Sequence, residues 1–246
     1  MALDEAIATA VRREGLPPTL RLYGWQRPAA SIGCFQRYCE IDSEHCAAAG
    51  ISIVRRPTGG RGILHGEELT YSFSAAADEE AFSGCGLLES YRKLASAFSG
   101  AFAALGLPAE TRLARRPAPS SKSPLCFAST SYGEITVAGA KLVGSAQRRW
   151  RDGFLQQGSI PFSHEGDGAR RVFRVPPAMA QGPRFTADIR ELMPGVDRPV
   201  LRDAIRSSFE EAFGIQFMET HPSEGEEVLA RELLRKYRSP EWTRRR

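Results

Sequence analysis

The chain has 246 residues, 42% hydrophobic and 25% charged, which suits one globular domain able to bury a core without disulfide or metal staples. A net charge of +4, with the arginines dispersed except for Arg244-Arg245-Arg246, gives no case for a nucleic-acid partner but is compatible with an acidic protein surface. Five cysteines without a Cys-x-x-Cys pair argue against a paired disulfide framework or a zinc pattern, so reduced thiols and a metal-free site are expected. An N-terminus carrying Asp4 and Glu5 without a continuous apolar run, and no later stretch of about 20 apolar residues, predict a cytoplasmic protein that does not enter a membrane.

Leu3, Ala6, Ile7, Ala10 and Val11 recur at helical spacing until Gly15 and Pro17-Pro18 stop the pattern. Residues 19–23 and 30–33 read as strands with a turn at 24–28, where Trp25 is core or a pocket wall, and Asp42 caps a short helix that Gly50 ends. Residues 68–74 alternate as a further strand, and 87–105 form the longest helix, a packing element stopped by Gly106-Leu107-Pro108. Residues 117–124 are Pro- and Ser-rich and predict an irregular loop; 134–137, 141–147 and 154–162 predict an antiparallel meander; 164–168 predict a polar loop. Beyond residue 194 the spacing predicts a helix capped by Asp197 and stopped by Gly214, a short strand at 215–218, and a final helix opened by the capping box Ser223-Glu226. Runs of strands with helices grouped before and after indicate an α+β fold with a mixed or antiparallel sheet and packed helices. We divide it into a catalytic domain over 1–194 and a short helical C-terminal extension over 195–246.

Two stretches carry the chemistry. In the first, 51–74, apolar residues lead into Arg55-Arg56, the turn Pro57-Thr58-Gly59-Gly60-Arg61-Gly62 follows, and a second apolar run reaches His65: strand, glycine turn, strand. Gly59, Gly60 and Gly62 leave backbone N–H groups open to carboxyl or phosphate oxygens, with Arg56 supplying charge; a tight hairpin with solvated arginines is the other reading. Neither a phosphate-binding P-loop nor a dinucleotide fingerprint is present. In the second, 126–147, Cys126 precedes a strand pair and Lys141 starts the facing strand. If they meet, the ammonium favours the thiolate and makes a nucleophile for acyl transfer; spacing alone also permits a structural cysteine and a solvated lysine. Period-two alternation puts Lys141, Val143, Ser145 and Gln147 on one face, with Gly144 clearing the other. Cys34, Cys39, Cys46 and Cys85 are assigned to structure.

The stretch Arg55-Arg56-Pro57-Thr58-Gly59-Gly60-Arg61-Gly62-Ile63-Leu64-His65 resembles the signature of the lipoate and octanoate branch of the biotin and lipoate protein ligase superfamily, and Gly139-Ala140-Lys141-Leu142-Val143-Gly144-Ser145-Ala146 resembles its lysine segment. Cys126-Phe127 looks like the Cys-Phe segment of the cysteine-dependent octanoyltransferases. Further matches at 1–6, 23–25, 31–36 and 236–242 extend the resemblance over almost the whole chain; Gly66 and Ala128-Ser129-Thr130 depart from it and bear on the subfamily. The resemblance implies that family's catalytic-domain fold and an octanoyltransferase in which Cys126 takes octanoyl from an acyl carrier protein as a thioester and passes it to a lysine. The acceptor would be a lipoyl-accepting domain such as the glycine cleavage H protein or a 2-oxoacid dehydrogenase E2. Lys141 with the backbone around Gly144 and Ser145 would stabilise the oxyanion, Gly59, Gly60 and His65 would shape the acyl pocket, and Arg56 would hold its edge.

No cofactor is required on that reading. The chief alternative is an ATP-dependent lipoate ligase that needs ATP and Mg, forms lipoyl-AMP and dispenses with a covalent cysteine; the short segment after residue 194, small for the accessory domain of many such ligases, speaks against it. A cysteine-using amidotransferase between two lipoyl-accepting proteins and a non-catalytic binding subunit are the remaining readings.

Overall fold

A computed structural model describes residues 1–111, 124–126, 133–163, 166–175 and 186–246. In chain order the elements are α1 (Ala2–Arg13), β1 (Thr19–Tyr23), β2 (Ala29–Ile32), α2 (Ser43–Ala48), β3 (Ser52–Arg55), β4 (Ile63–His65), β5 (Glu68–Ala76), α3 (Leu87–Ala104), β6 (Glu110–Thr111), β7 (Ile135–Val137), β8 (Ala140–Trp150), β9 (Gly153–Pro161), α4 (Gly166–Val172), α5 (Ile189–Leu192), α6 (Arg198–Phe213), α7 (Glu224–Arg238) and α8 (Pro240–Thr243). The larger sheet is antiparallel, ordered β1-β5-β9-β8-β7-β6; the smaller runs β3-β2-β4, with β2 parallel to β3 and antiparallel to β4. This is the expected α+β arrangement, and β7, β8 and β9 form the expected meander.

Strands β5 and β9 pair through the middle of the larger sheet and are buried almost throughout, because α3 and α6 cover one face while α1 packs on the other. On the helical side Phe73 and Phe154 meet Phe82 and Phe209, and α3 crosses α6 closely enough that a Cβ at Gly100 would sit 2.4 Å from Ser208 Oγ. Phe98 and Phe209 stack edge to face at 5.0 Å across that crossing. The caps act as the sequence indicates: Asp42 accepts from His45 N–H, Asp197 from Val200 N–H, and Ser223 and Glu226 close a capping box. Helix α6 packs on α3, α7 on α1, and α8 on β3.

Three expectations are corrected. Strands β3 and β4 do not form a hairpin, because β2 lies between them and pairs with both. Residues 215–218 form no strand: Phe217 N–H bonds the Glu210 carboxylate and its carbonyl accepts from Arg206, so side chains of α6 take the place of a ladder. Residues 166–168 open α4 rather than a polar loop, since this short helix delivers Val172 and Phe173 into a cluster with Ile32, Ile41 and Cys46. Most of the expected loop at 117–124, and His164-Glu165, lie outside the described residues.

Asp4 is a polar pin beneath α1. Fully buried, it accepts from Arg21 Nη1 at 2.7 Å, Gln157 Nε2 at 2.7 Å, Tyr23 Oη at 3.1 Å and Ser72 Oγ at 3.1 Å, tying the helix to β1, β5 and β9. Burial pushes its pKa up, but the Met1 amine, Arg21 and the hydrogen bonds outweigh it and hold the carboxyl below its ordinary value of 3.8. A group depressed on folding contributes stability above its unfolded pKa and loses it as pH falls through the folded value. Asp4→Asn is therefore expected to lower stability at neutral pH and to flatten the acid limb below about pH 4 in a plot of urea midpoint against pH; an unchanged acid limb would refute the assignment.

Candidate active site

The site begins with two adjacent arginines whose side chains leave β3 on opposite faces, as the period of two requires. Arg55 is fully buried and turns toward the C-terminal segment: Nε donates to Trp242 and Thr243 carbonyls, and Nη1 to the carbonyls of Gly33, Cys34 and Gln36. Arg56 turns toward the glycine turn. Its Nη1 donates to Ser31 Oγ at 2.6 Å and Ser31 O at 3.1 Å, and its Nη2 to Gly59 O at 3.0 Å and Arg61 O at 2.8 Å. Ser31 in turn meets His65 Nε2 at 2.6 Å, His65 Nδ1 meets Glu68 at 2.8 Å, and Trp25 stacks on the imidazole at 4.1 Å while donating to the same carboxylate. Arg56 and His65 are both buried, so this chain is a frame that fixes the turn from beneath.

Two glycines are demanded by close approach. A Cβ on Gly33 would lie 1.9 Å from Gly60 O, and one on Gly62 would lie 2.1 Å from the Phe173 ring. Gly62 then receives the Cys126 segment: its N–H donates to Pro124 O at 2.8 Å and its carbonyl accepts Cys126 N–H at 2.9 Å. The two sequence stretches are thus joined by a short parallel bridge, and Gln36 Nε2 adds a bond to Pro124 O at 3.0 Å.

Lys141, at the start of β8, reaches the same place from the larger sheet. Its Nζ donates to Cys126 O at 2.9 Å, lies 3.5 Å from Cys126 Sγ, and pairs with Glu134 at 2.5 Å. Burial alone would lower the lysine pKa; the charges of Cys126 and Glu134 and their hydrogen bonds outweigh it and hold it above its ordinary value of 10.5. The ammonium therefore persists across the neutral range, where it can stabilise negative charge on Sγ. Burial lowers the Arg56 pKa, opposed by the charges of Cys126 and Glu68.

Of the residues expected at the site, Arg56, His65, Cys126, Gly144 and Ser145 border one cleft together with Ile63 and Gly158. Ser145 Oγ is 2.7 Å from Tyr71 Oη, whose pKa burial pushes up to about 12. Lys141 stands behind Cys126 rather than on the cleft wall, and Gly59 and Gly60 form the outer turn beside it. Two expectations are corrected. The Gly62 N–H is taken by Pro124 and so is not open to a ligand, while Arg56, on the cleft wall, also bonds Ser31 and the carbonyls of Gly59 and Arg61. Cys39 is exposed on a single 3-10 turn, unlike the buried Cys34, Cys46 and Cys85. Sequence reasoning missed Glu134, Ser31 and Glu68; for Glu134 the one usable signal was an acid facing a lysine across a short strand connection. Among the described residues no cluster of His, Cys, Asp or Glu could hold a metal, and no helix is long and apolar enough to cross a membrane.

Gly62→Ala is expected to cost about 1–3 kcal/mol by forcing the buried Phe173 ring or the turn aside. It should also slow thiol labelling and acylation of Cys126, whereas Gly66→Ala, which meets nothing described within 4 Å, should do neither. Urea denaturation and timed alkylation check both; equal behaviour of the two variants would dismiss the bridge as a determinant of the site.

Residues 1–214 match the lipoyl protein ligase A/B catalytic domain. The octanoyltransferase LipM of Symbiobacterium thermophilum is 41% identical over 260 residues, covering 100% of this chain and 93% of that protein. Its namesake from Moorella thermoacetica is 37% identical over 256 residues, again covering 100% and 93%. A crystal structure of lipoate-protein ligase A bound with ATP superposes with a TM-score of 0.82 at 25% identity, covering 99% of this chain and 92% of that one. A bipartite lipoate protein ligase of Thermoplasma acidophilum, studied with its E2 lipoyl domain, superposes with a TM-score of 0.78 at 25% identity, covering 99% and 89%. With residues 1–214 matched to that family model and a relative 41% identical over the full length of the chain, the chain belongs to the lipoyl protein ligase A/B catalytic domain family.

Proposed function

We propose that this protein is an acyltransferase of protein lipoylation that moves an octanoyl group through Cys126. In the first half-reaction the Cys126 sulfur attacks the thioester carbonyl of octanoyl acyl carrier protein; a new C–S bond forms, the donor C–S bond breaks, and the carrier thiol leaves with the proton. In the second, the neutral ε-amine of a lysine on a lipoyl-accepting domain attacks octanoyl-Cys126; an amide C–N bond forms, the cysteine leaves as thiolate, and the amine proton passes to solvent. A thioester donor makes ATP unnecessary. The observation that carries the reading is the Cys126–Lys141 pair, Nζ 3.5 Å from Sγ, in a chain 41% identical to an octanoyltransferase.

Lys141 offsets the charge of the thiolate and of the tetrahedral oxyanion, and Glu134 keeps it protonated and aimed. Gly144 and Ser145 border the cleft where backbone N–H groups would complete oxyanion stabilisation, a contribution of about 3–4 kcal/mol for one such donor. Arg56, His65 and the Gly59-Gly60 turn set the shape of the acyl pocket. The acceptor would be a lipoyl domain of E2 type or an H protein; the archaeal ligase was studied with such an E2 domain.

The ATP-dependent ligase reading draws on the ATP-bound structural relative. Against it, the Gly62 N–H is committed to Pro124 O rather than offered to a phosphate. Intact-protein mass spectrometry after incubation with octanoyl acyl carrier protein, without ATP, tests the choice. A hydroxylamine-labile octanoyl adduct is expected; no adduct, with ATP-dependent lipoylation of an E2 domain instead, would overturn the transferase reading.

A further inference from the structure

Phe35 is 69% exposed, an unusual position for a large aromatic side chain. It stands on the 33–36 turn with the Arg246 guanidinium 5.5 Å from its ring; of the two preceding arginines, Arg244 packs 5.5 Å over Tyr38, and Arg245 packs 3.9 Å over Trp242 and donates to Cys34 O at 3.1 Å. Arg37, directly after that turn, is exposed and paired with Glu40 at 3.2 Å, which leaves the group cationic overall. Arg55 holds this arrangement from beneath, binding carbonyls of the 33–36 turn and of Trp242 and Thr243 together. The patch is coupled to the site. Gly33 backs onto Gly60, and Gln36 bonds the carbonyl of Pro124, two positions before Cys126.

We infer that Phe35 with Arg37, Arg244, Arg245 and Arg246 is a docking surface for the acidic carrier protein that delivers the acyl thioester, an inference that rests on the transferase reading above. An exposed aromatic ring with one guanidinium beside it and further arginines on the adjoining C-terminal residues suits a partner with an acidic surface and a small apolar contact. The donor is favoured over the acceptor because it alone brings a phosphodiester at the base of its pantetheine arm, for which arginine forks are well matched. Docking here places the arm beside the glycine turn, along the side from which the Pro124–Cys126 segment is held.

The test compares wild type, the double variant Arg244→Glu/Arg246→Glu, and Phe35→Ser in single-turnover acylation of Cys126, followed by mass spectrometry. Two donors are used: octanoyl acyl carrier protein and the small thioester octanoyl-pantetheine. With the carrier protein at subsaturating concentration, each variant is expected to acylate at least about tenfold more slowly, and the wild-type rate should fall as salt rises from 50 to 300 mM, roughly the range over which the Debye length shortens from above to below 10 Å. With octanoyl-pantetheine the variants should stay within about twofold of wild type, because no protein surface is engaged. Unchanged acylation by the carrier protein would overturn the docking surface, as would an equal loss with both donors. A defect confined to the second step, transfer to the lipoyl-accepting domain, would reassign the surface to the acceptor and overturn this inference. Absence of any adduct in wild type with either donor would instead count against the transferase reading itself.

Discussion

Cys126→Ala is expected to abolish the octanoyl adduct and to lower octanoyl transfer by roughly 10³-fold or more, since loss of a covalent nucleophile removes both half-reactions together. The fold should survive, because Cys126 is only half-buried and its segment is held through backbone bonds to Gly62, which alanine keeps. Cys126→Ser separates chemistry from shape. Serine retains the size and the Lys141 contact, but its hydroxyl is a far weaker nucleophile, and any octanoyl ester formed resists attack by the acceptor amine. Serine should therefore acylate slowly, if at all, and then stall with a mass increment stable to hydroxylamine. ATP-dependent lipoylation surviving in Cys126→Ala would transfer the protein to the ligase mechanism.

The second large effect concerns the buried ion pair. Lys141→Met leaves the Glu134 carboxylate in a site where its side chain is 5% exposed, and breaking a buried pair from one side typically costs about 3–5 kcal/mol. Acylation should fall about 10²-fold besides, for want of charge opposite the sulfur and oxyanion. Adding Glu134→Gln to Lys141→Met removes the buried carboxylate's charge as well, so most of the stability should return while acylation stays low. Glu134→Gln alone acts differently. Lys141 then keeps the burial that lowers its pKa but loses one of the charges that raise it, so the alkaline limb of activity should move to lower pH. In the wild type the sign is the reverse: a lysine raised on folding contributes its full stability below about 10.5 and loses it only as pH climbs through the raised value. Urea denaturation and single-turnover acylation across pH measure both quantities; full acylation in Lys141→Met would remove the lysine from the mechanism.

What could be read in the sequence was local. Asp42, Asp197 and Ser223 announce their helices because a cap bonds within three residues of itself. The meander was legible because consecutive strands joined by short turns have one obvious partner each. Strands β3 and β4 show what was not: both are apolar and separated by a glycine turn, but only the structure reveals β2 between them. Likewise Arg55 and Arg56 are adjacent in a motif, and alternation alone could have sent them to opposite faces; which one met the turn and which the far end of the chain depended on tertiary placement. Cys126 and Lys141 were legible as motif residues. Glu134 was hidden by the irregular register between β7 and β8, where Ile135 opposes Val143 but Thr136 opposes Lys141.

The bridge between Gly62 and Cys126 also has a kinetic meaning. It joins segments far apart in sequence, as does the pairing of β5 with β9, and such topologies fold on the slower, millisecond-to-second scale because loop closure precedes any reward from contact. Cys126 and Lys141 come from either side of that long-range assembly. During refolding, then, the recovery of Cys126 acylation should trail the appearance of helical signal from α3 and α6, making the thiol a built-in clock for the last docking step of the chain.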